Sequence, residues 1–519
     1  MKALKWLLIV LAGLIVLAAL FYAEEDWRGK RAWEKFKHEW EAKGERFDLT
    51  GLIPPPVPDD QNFAMTPVVF TSYGSILTRD GKFIPDKDRD TNFINRLSMS
   101  VVLDDESPTN GTGNWLTVKT SDLKVWQNYY RTLAATNDEF PVTAQPQTPA
   151  ADVLLALSKY DSTVEELRQA GQLPYSRFPL DYDSKNPAII LLPHLANLRG
   201  CTRVLQLRAI AELQCSQNEK ALNDIKLMFR LSESIRTEPI LISQLVRIAI
   251  LQIALQPVWE GLASHKWSDE QLVILDTELA KLDFLADYEF SMRAERAFDI
   301  GIIEYLRHQN SIQEVRKISQ MSRDESGIKP RDVIIFYLGP SGWIDQRELR
   351  ISRFFAHWYF PVANVDLQIF SPAAVRNADE TLRVETGNFQ RGDFLERLLL
   401  PALGAAAKKF AFAQNSVNLA RMACALERYR LAHGEYPETL DALVPQFIEK
   451  LPHDIIGGQP SQGSGSASQP LHYRRTADGK FLLYSVGWNE TDDGGQVVLK
   501  EDGTVDRDKG DWVWQYPTK

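Results

Sequence analysis

Cysteine is scarce: the chain has three in 519 residues, Cys201, Cys215 and Cys424. That excludes the disulfide frameworks that staple small secreted domains. Cys201 and Cys215 fall on one helical segment, about 21 Å apart at 1.5 Å per residue, too far to bridge. Their apolar neighbours mark them as buried thiols. Histidine is also sparse, with eight residues, and none has a second His or Cys at a metal-ligand spacing. No Walker loop, dinucleotide fingerprint, nucleophile elbow or zincin motif occurs. No catalytic or cofactor-binding residue is therefore assigned. A basic excess is lacking as well, with 69 Asp+Glu against 59 Lys+Arg. This excludes a general nucleic-acid binder, which needs a basic face. An acidic chain gains nothing from anionic headgroups, so membrane attachment has to come from apolar residues.

Those residues open the chain. "MKALKWLLIVLAGLIVLAALFYAEED" carries no charge over residues 6–23, a helix of about 27 Å that is long enough to cross a bilayer core. Trp6, Phe21 and Tyr22 suit interfacial belts. No small-x-small cleavage site is present, since Phe21 precedes Ala23 and Leu17 precedes Ala19 by two. Residues 1–23 therefore read as an uncleaved transmembrane anchor that meets the lipid bilayer through 6–23. Arg28, Lys30, Arg31, Lys35 and Lys37 outnumber Lys2 and Lys5, so the positive-inside count alone leaves the body in the cytoplasm.

A length of 519 residues is too long for one core and suggests about three units. Residues 24–46 read as a juxtamembrane amphipathic helix ending at Gly44, with Trp27, Trp33, Phe36 and Trp40 as a stripe that packs on the body. Residues 47–147 read as a Pro-rich spacer and loop-rich region. Four prolines within 54–58 favour an extended chain, and "SMSVVLDDESPTNGTGNWLTVKT" suggests strands around a turn.

Residues 148–395 read as an α-helical body. Thr148 caps a helix with Pro149 at its first position, and Ser162 with Glu165 makes a capping box in a helix closed by Gly171. Strong helices follow over 194–215 and 219–236 and from Pro239. A fourth is capped by Ser268 and Gln271, and a fifth runs through "YEFSMRAERAFDIGIIEYLRH". The helix from Pro239 is long enough to span a membrane. Arg247 near its centre, with Gln244, Gln252 and Gln256, makes it a buried core helix instead. The pair 194–215 and 219–236 resembles a tetratricopeptide-type hairpin, without a 34-residue repeat. Asp287, Glu289, Glu295 and Asp299 beside Arg293 and Arg296 predict intrahelical ion pairs on a wet face rather than an acid/base pair. The aromatic stretch within 320–390 reads as core.

Residues 396–519 form a small α+β module. Leu419, Met422, Ala423, Leu426 and Tyr429 give a helix one apolar face, and His433 and Gly434 stop it. Leu440, Leu443 and Val444 face one way on the turn after Pro437. "LHYRRT" and "KFLLYSVG" flank a hairpin turn built on Asp478-Gly479, and "QVVL" is a third strand. The fold class is mainly α: an N-terminal transmembrane helix, an α-helical body and a helix-on-antiparallel-sheet module.

In order, "ALERYRLAHGEYPETLDAL", "KLPHD", "GGQP", "LHYRR" and "LLYSVGWNETDDGG" resemble the globular part of the major pseudopilin of type II secretion systems, over residues 410–519. The family's processed N-terminus, with its Gly-Phe-Thr-type motif and a glutamate in the apolar run, is not matched, and the module stands at the other end of the chain. The resemblance implies a borrowed module in an exported bacterial protein of the cell envelope, single-pass in the inner (cytoplasmic) membrane with a periplasmic body. The expected role is structural or protein-interaction, with a protein partner. Two alternatives stand beside it: a component of a type II secretion or pilus-like machine, and an envelope-acting hydrolase whose site forms only in three dimensions. In the family, the loop after the Tyr-Ser strand often binds calcium. Asn489, Asp492 and Asp493 occupy that loop here, with Asp502, Asp506 and Asp508 further on, and oxygen ligands suit calcium. The spacing is neither the family's nor an EF-hand's, and a solvated acidic loop is the other reading. "SQGSGSASQ" reads as a flexible insertion without function.

Overall fold

No proline precedes Pro54, so nothing stops a helix that begins in the apolar run from continuing into the charged one. In the computed structural model the two are a single helix, α1 (Lys2–Glu41), instead of an anchor and a separate amphipathic helix. The structure describes residues 2–70, 75–77, 83–85, 95–102, 108–136, 139–182, 184–309, 313–314, 330–388, 394–400, 402–456 and 469–517. The apolar part of α1 is bare, with residues 3–22 exposed. Its second half is docked. Trp33 and Phe36 are buried with Phe47, Leu349 and Ala356, as the stripe predicts, while Trp27 stays exposed. The chain turns away at Gly44, where φ is +92°.

After α2 (Pro67–Phe70) and the antiparallel pair β1 (Ser75–Leu77) and β2 (Phe83–Pro85) comes α3 (Leu123–Leu133). This helix is capped by Asp122 and lies in a region expected to be loop-rich. The described part of the stretch expected to hold strands has 3-10 turns and an isolated bridge between Asn114 and Lys119; residues 103–107 lie outside the described residues.

Helices α4 (Pro149–Leu157) and α5 (Asp161–Gly171) follow. Thr148 caps the first as expected. Ser162 caps nothing: α5 begins a residue earlier, and Glu165 turns to Arg168. Next come α6 (Pro193–Gln214), α7 (Asn218–Glu233), α8 (Leu241–Ala263), α9 (Asp269–Ala280) and α10 (Phe284–His308). The Ser268/Gln271 capping box is present at α9. Helix α8 lies in the core, packed on α6 and α7. Its Arg247 is fully buried and is satisfied by Asp287 at 2.7 Å, Glu233 at 2.5 Å and Gln244 at 2.8 Å. Cys201 is buried, Cys215 is half-buried, and both are free.

The α10 face expected to be wet is inside. Asp287, itself buried, pairs with Arg236 and Arg247 outside its own helix, and Arg296 is buried against Glu45 at 2.8 Å. Of the intrahelical pairs expected there, Glu289–Arg293 forms, at 3.1 Å. Burial, with Glu295 one turn back, holds the Asp299 carboxyl well above the usual range. The segment just after α1 covers part of this side: Glu45 pairs with Arg296, the Phe47 ring lies under its guanidinium, and residues 49–52 and α12 pack on α10.

Beyond α10 lie α11 (Pro330–Leu338), α12 (Gly342–Phe354), the short pair β3 (Ala363–Asn364) and β4 (Ile369–Phe370), α13 (Pro372–Asn388), α14 (Phe394–Leu399) and α15 (Leu403–His433). Phe354, Phe355 and Tyr359 of the aromatic stretch are core, as expected. Helix α15 is not one-faced. It is buried almost continuously from Leu403 to Glu427, because α8, α9 and α10 cover one side and the sheet covers the other. Gly434 caps it at φ +84°.

The sheet runs β5 (His472–Arg475), β6 (Phe481–Ser485), β9 (Trp512–Gln515), all antiparallel. The Asp478-Gly479 hairpin joins the first two. The expected third strand, β7 (Val497–Leu499), pairs instead with β8 (Val505–Gly510) in a separate ribbon. The third place belongs to "WVWQ", whose two indoles face inward. Val444 is exposed although Leu440 and Leu443 are buried. One hydrophobic cluster runs from Phe63 to Tyr516, so the helical body and the sheet share a core. Residues 457–468, most of the expected insertion, lie outside the described residues.

Candidate ligand cleft

Helix α6 turns Arg203, Gln206, Leu207 and Ile210 to one side, an i, i+3, i+4, i+7 set. Gln252, Ile253 and Gln256 of α8 face them, and the loop 112–116 closes the end. Arg507 comes from β8, some three hundred residues away in the chain. Together they line a cleft of about 540 Å³.

The loop is pinned by α8. Trp115 donates its backbone N–H to Gln256 Oε1 at 2.5 Å, and Ser121 donates to Glu260 Oε1 at 2.9 Å. Gln256 donates back to the Lys119 carbonyl at 3.2 Å. Gly113 is required here: a Cβ would stand 2.4 Å from Gln256 Nε2. The sheet seals the other side. The Trp115 and Trp514 rings lie 5.2 Å apart, and Trp259 Nε1 donates to the Gln515 carbonyl at 2.9 Å.

Two features of the cleft have chemical content. Neither Arg203 nor Arg507 makes an ion pair among the described residues. Burial, and Arg199 one turn earlier, lower the pKa of Arg203; burial lowers that of Arg507. The Arg507 guanidinium stacks 4.0 Å over the Phe412 ring, which fixes it without neutralising it. Gln252 donates to Ser416 Oγ at 3.2 Å while its carbonyl oxygen is buried and receives no hydrogen bond. A desolvated guanidinium binds carboxylate or phosphate bidentately, and the amide oxygen suits a ligand that also carries an N–H or O–H.

A second cleft of about 690 Å³ lies over α5, α6 and α7. Its arginines are paired: buried Asp224 sits between Arg168 and Arg208. Burial and Asp224 push Glu212 up to about 8. It is an ion network that ties three helices together.

The acidic C-terminal loop is engaged with itself. Asn489 donates to Asp493 at 2.8 Å, and Asp492 accepts from Gly494 N at 2.9 Å and from the Tyr484 hydroxyl at 3.0 Å. Asp511, buried, accepts from the amides of Asp493 and Gly495. Asp502 turns to Thr504, Asp506 to the Asp508 amide, and Asp508 to Lys408. Among the described residues no group of three or more His, Cys, Asp or Glu is placed to hold a metal ion. The "KLPHD" and "YSVG" segments do meet. Buried Asp454 accepts from Ser485 Oγ at 2.8 Å, Ile456 N at 2.9 Å and Val486 N at 3.1 Å. Burial pushes its carboxyl up to about 6.

Sequence reasoning missed the cleft because its arginines share no local pattern. Arg203 carried a signal in its spacing to Gln206 and Ile210; Arg507 lay within a run read as acidic loop. Comparison with known protein families, curated proteins and solved structures found no match to this chain.

Proposed function

We propose that this chain is a single-pass membrane-anchored protein of interaction type, which holds a rigid helical body at a bilayer and takes an acidic segment of a protein partner in the cleft. The observation that carries it is α1: one helix, apolar and bare over its first half, docked on α12 over its second. A helix that leaves so many apolar side chains uncovered is stable in lipid and costly in water. Partner binding rests on Arg203 and Arg507 of the cleft, which make no ion pair among the described residues, in a chain of net charge −10. An acidic peptide offers them carboxylates, and offers Gln252 an N–H. Export to the periplasmic side of an inner membrane extends this reading on the strength of the pseudopilin resemblance.

The full chain expressed in a bacterial host is expected in the membrane pellet after alkaline carbonate, and deletion of 2–23 is expected to release it. Protease added to spheroplasts is expected to degrade the body. Extraction by carbonate would overturn the anchor; a body protected in spheroplasts would overturn export.

The secretion-machine reading has one observation in its favour. The Asp454 clamp joins two of the segments on which the resemblance rests. It is tested by co-purification with an inner-membrane secretion platform. The hydrolase reading needs free carboxylates converging in a cleft; the second cleft is lined by Asp161, Glu165 and Glu212, of which Asp161 is held by Arg208 and Glu165 by Arg168.

A further inference from the structure

Helix α11 (Pro330–Leu338) carries apolar residues on two sides. Phe336 is buried, with the Arg347 guanidinium 5.1 Å over its ring. Ile334 and Leu338, one turn apart, point the other way and are 53% and 69% exposed. Most exposed leucines need no explanation. These two do, because of their height along α1. The Tyr22 hydroxyl donates to the Leu338 carbonyl. Phe21 meets Trp343 edge-on at 6.2 Å. Just beyond, Trp343 Nε1 donates to Glu25 at 2.8 Å and Gly342 N donates to Asp26 at 2.8 Å. The polar contacts of α1 with α12 thus begin where its charges begin, and α11 sits level with Phe21 and Tyr22, the last aromatics of the uncharged run. An apolar helix face at that level continues the surface that α1 presents to lipid.

We infer that α11 is a second membrane contact: an interfacial helix that seats Ile334 and Leu338 in the headgroup–acyl boundary beside the exit of α1. This rests on the reading of α1 as a membrane span. The occupant is lipid rather than a second copy of the chain, because the face is continuous with the bare part of α1 and is fixed to it through Tyr22.

The test is spin-label accessibility in nanodiscs of phosphatidylcholine with a minor fraction of phosphatidylglycerol. Single cysteines replace Ile334, Leu338, Leu14 and Val384 in a Cys215→Ser background, in which the two remaining native cysteines are buried. Val384 is 50% exposed on α13 and serves as the aqueous reference. The expected result is oxygen accessibility above that of a water-soluble nickel chelate at 334 and 338, intermediate between Leu14 and Val384. If Leu14 reads as hydrocarbon while 334 and 338 match Val384, the inference is overturned and the anchor stands. If Leu14 itself reads as water, the anchor and the inference fall together. Low accessibility to both reagents at 334 and 338 would mean that protein covers the face, and would also overturn the inference.

Discussion

Gly29 and Gly342 meet where α1 crosses α12, and neither tolerates a side chain. A Cβ on Gly29 would stand 2.0 Å from the Gly342 carbonyl oxygen, and one on Gly342 would stand 2.1 Å from that of Glu25. The obstructing atoms are backbone, so they cannot swing aside. Gly29→Val is expected to destabilise the docked arrangement by about 1–3 kcal/mol, read by urea unfolding in detergent. Gly13→Val, with open space around the site, is expected to change nothing. Asp454 is the second such residue. Asp454→Ala strands the donors of Ser485, Ile456 and Val486, at a cost of about 1–3 kcal/mol, read as a lower Tm. Its folded pKa of about 6 lies above the ordinary 3.8. The folded state therefore holds the proton longer, and this group's contribution to stability falls as pH rises from about 4 to about 6. Asp454→Asn is expected to remove that part of the pH slope, and an unchanged slope would refute the assignment.

At the scale of elements, periodicity and caps were legible where local chemistry decides the outcome. Thr148, the Ser268/Gln271 box and Gly434 do what their residue types predict. Long-range packing was not legible. Nothing near Asp299 announces that distant segments will bury it. Nothing in "QVVL" says that "WVWQ" will take its place beside β6, and the preference of tryptophan for strands was the signal available. Where α10 meets α12, Arg307 reaches Asp345 at 2.6 Å and lies 3.9 Å from Glu348. Burial, with Glu304 beside it, pushes Glu348 up to about 9, from an ordinary 4.5. Stability from this group is fully present below about 4.5 and declines as pH rises to about 9. Glu348→Gln is expected to flatten that decline and to raise alkaline stability. One pKa unit is worth about 1.4 kcal/mol, so the gain is visible in urea melts at pH 9.

For the whole molecule, the cleft gains Arg507 because the last strands fold back on α8. Arg203 and Arg507 are brought together by a core that runs through body and sheet alike. Their pairing is a property of topology, and no window of sequence contains it. With a short oligoglutamate peptide as probe, Arg203→Gln or Arg507→Gln is expected to weaken binding at least tenfold, or about 1.4 kcal/mol, by calorimetry. The loss shrinks as salt rises, and an unchanged affinity would remove the cleft from the account.

Helix α1 has no joint between its bare apolar half and the half docked on the body. It is one rod from Lys2 to Glu41, clasped by α12 before it ends. The body cannot swivel on such a mount. In the proposed membrane-anchored arrangement, a pull on the cleft becomes a tilt of the rod in the membrane, and the lipid around it acts as a spring against which a bound partner must work.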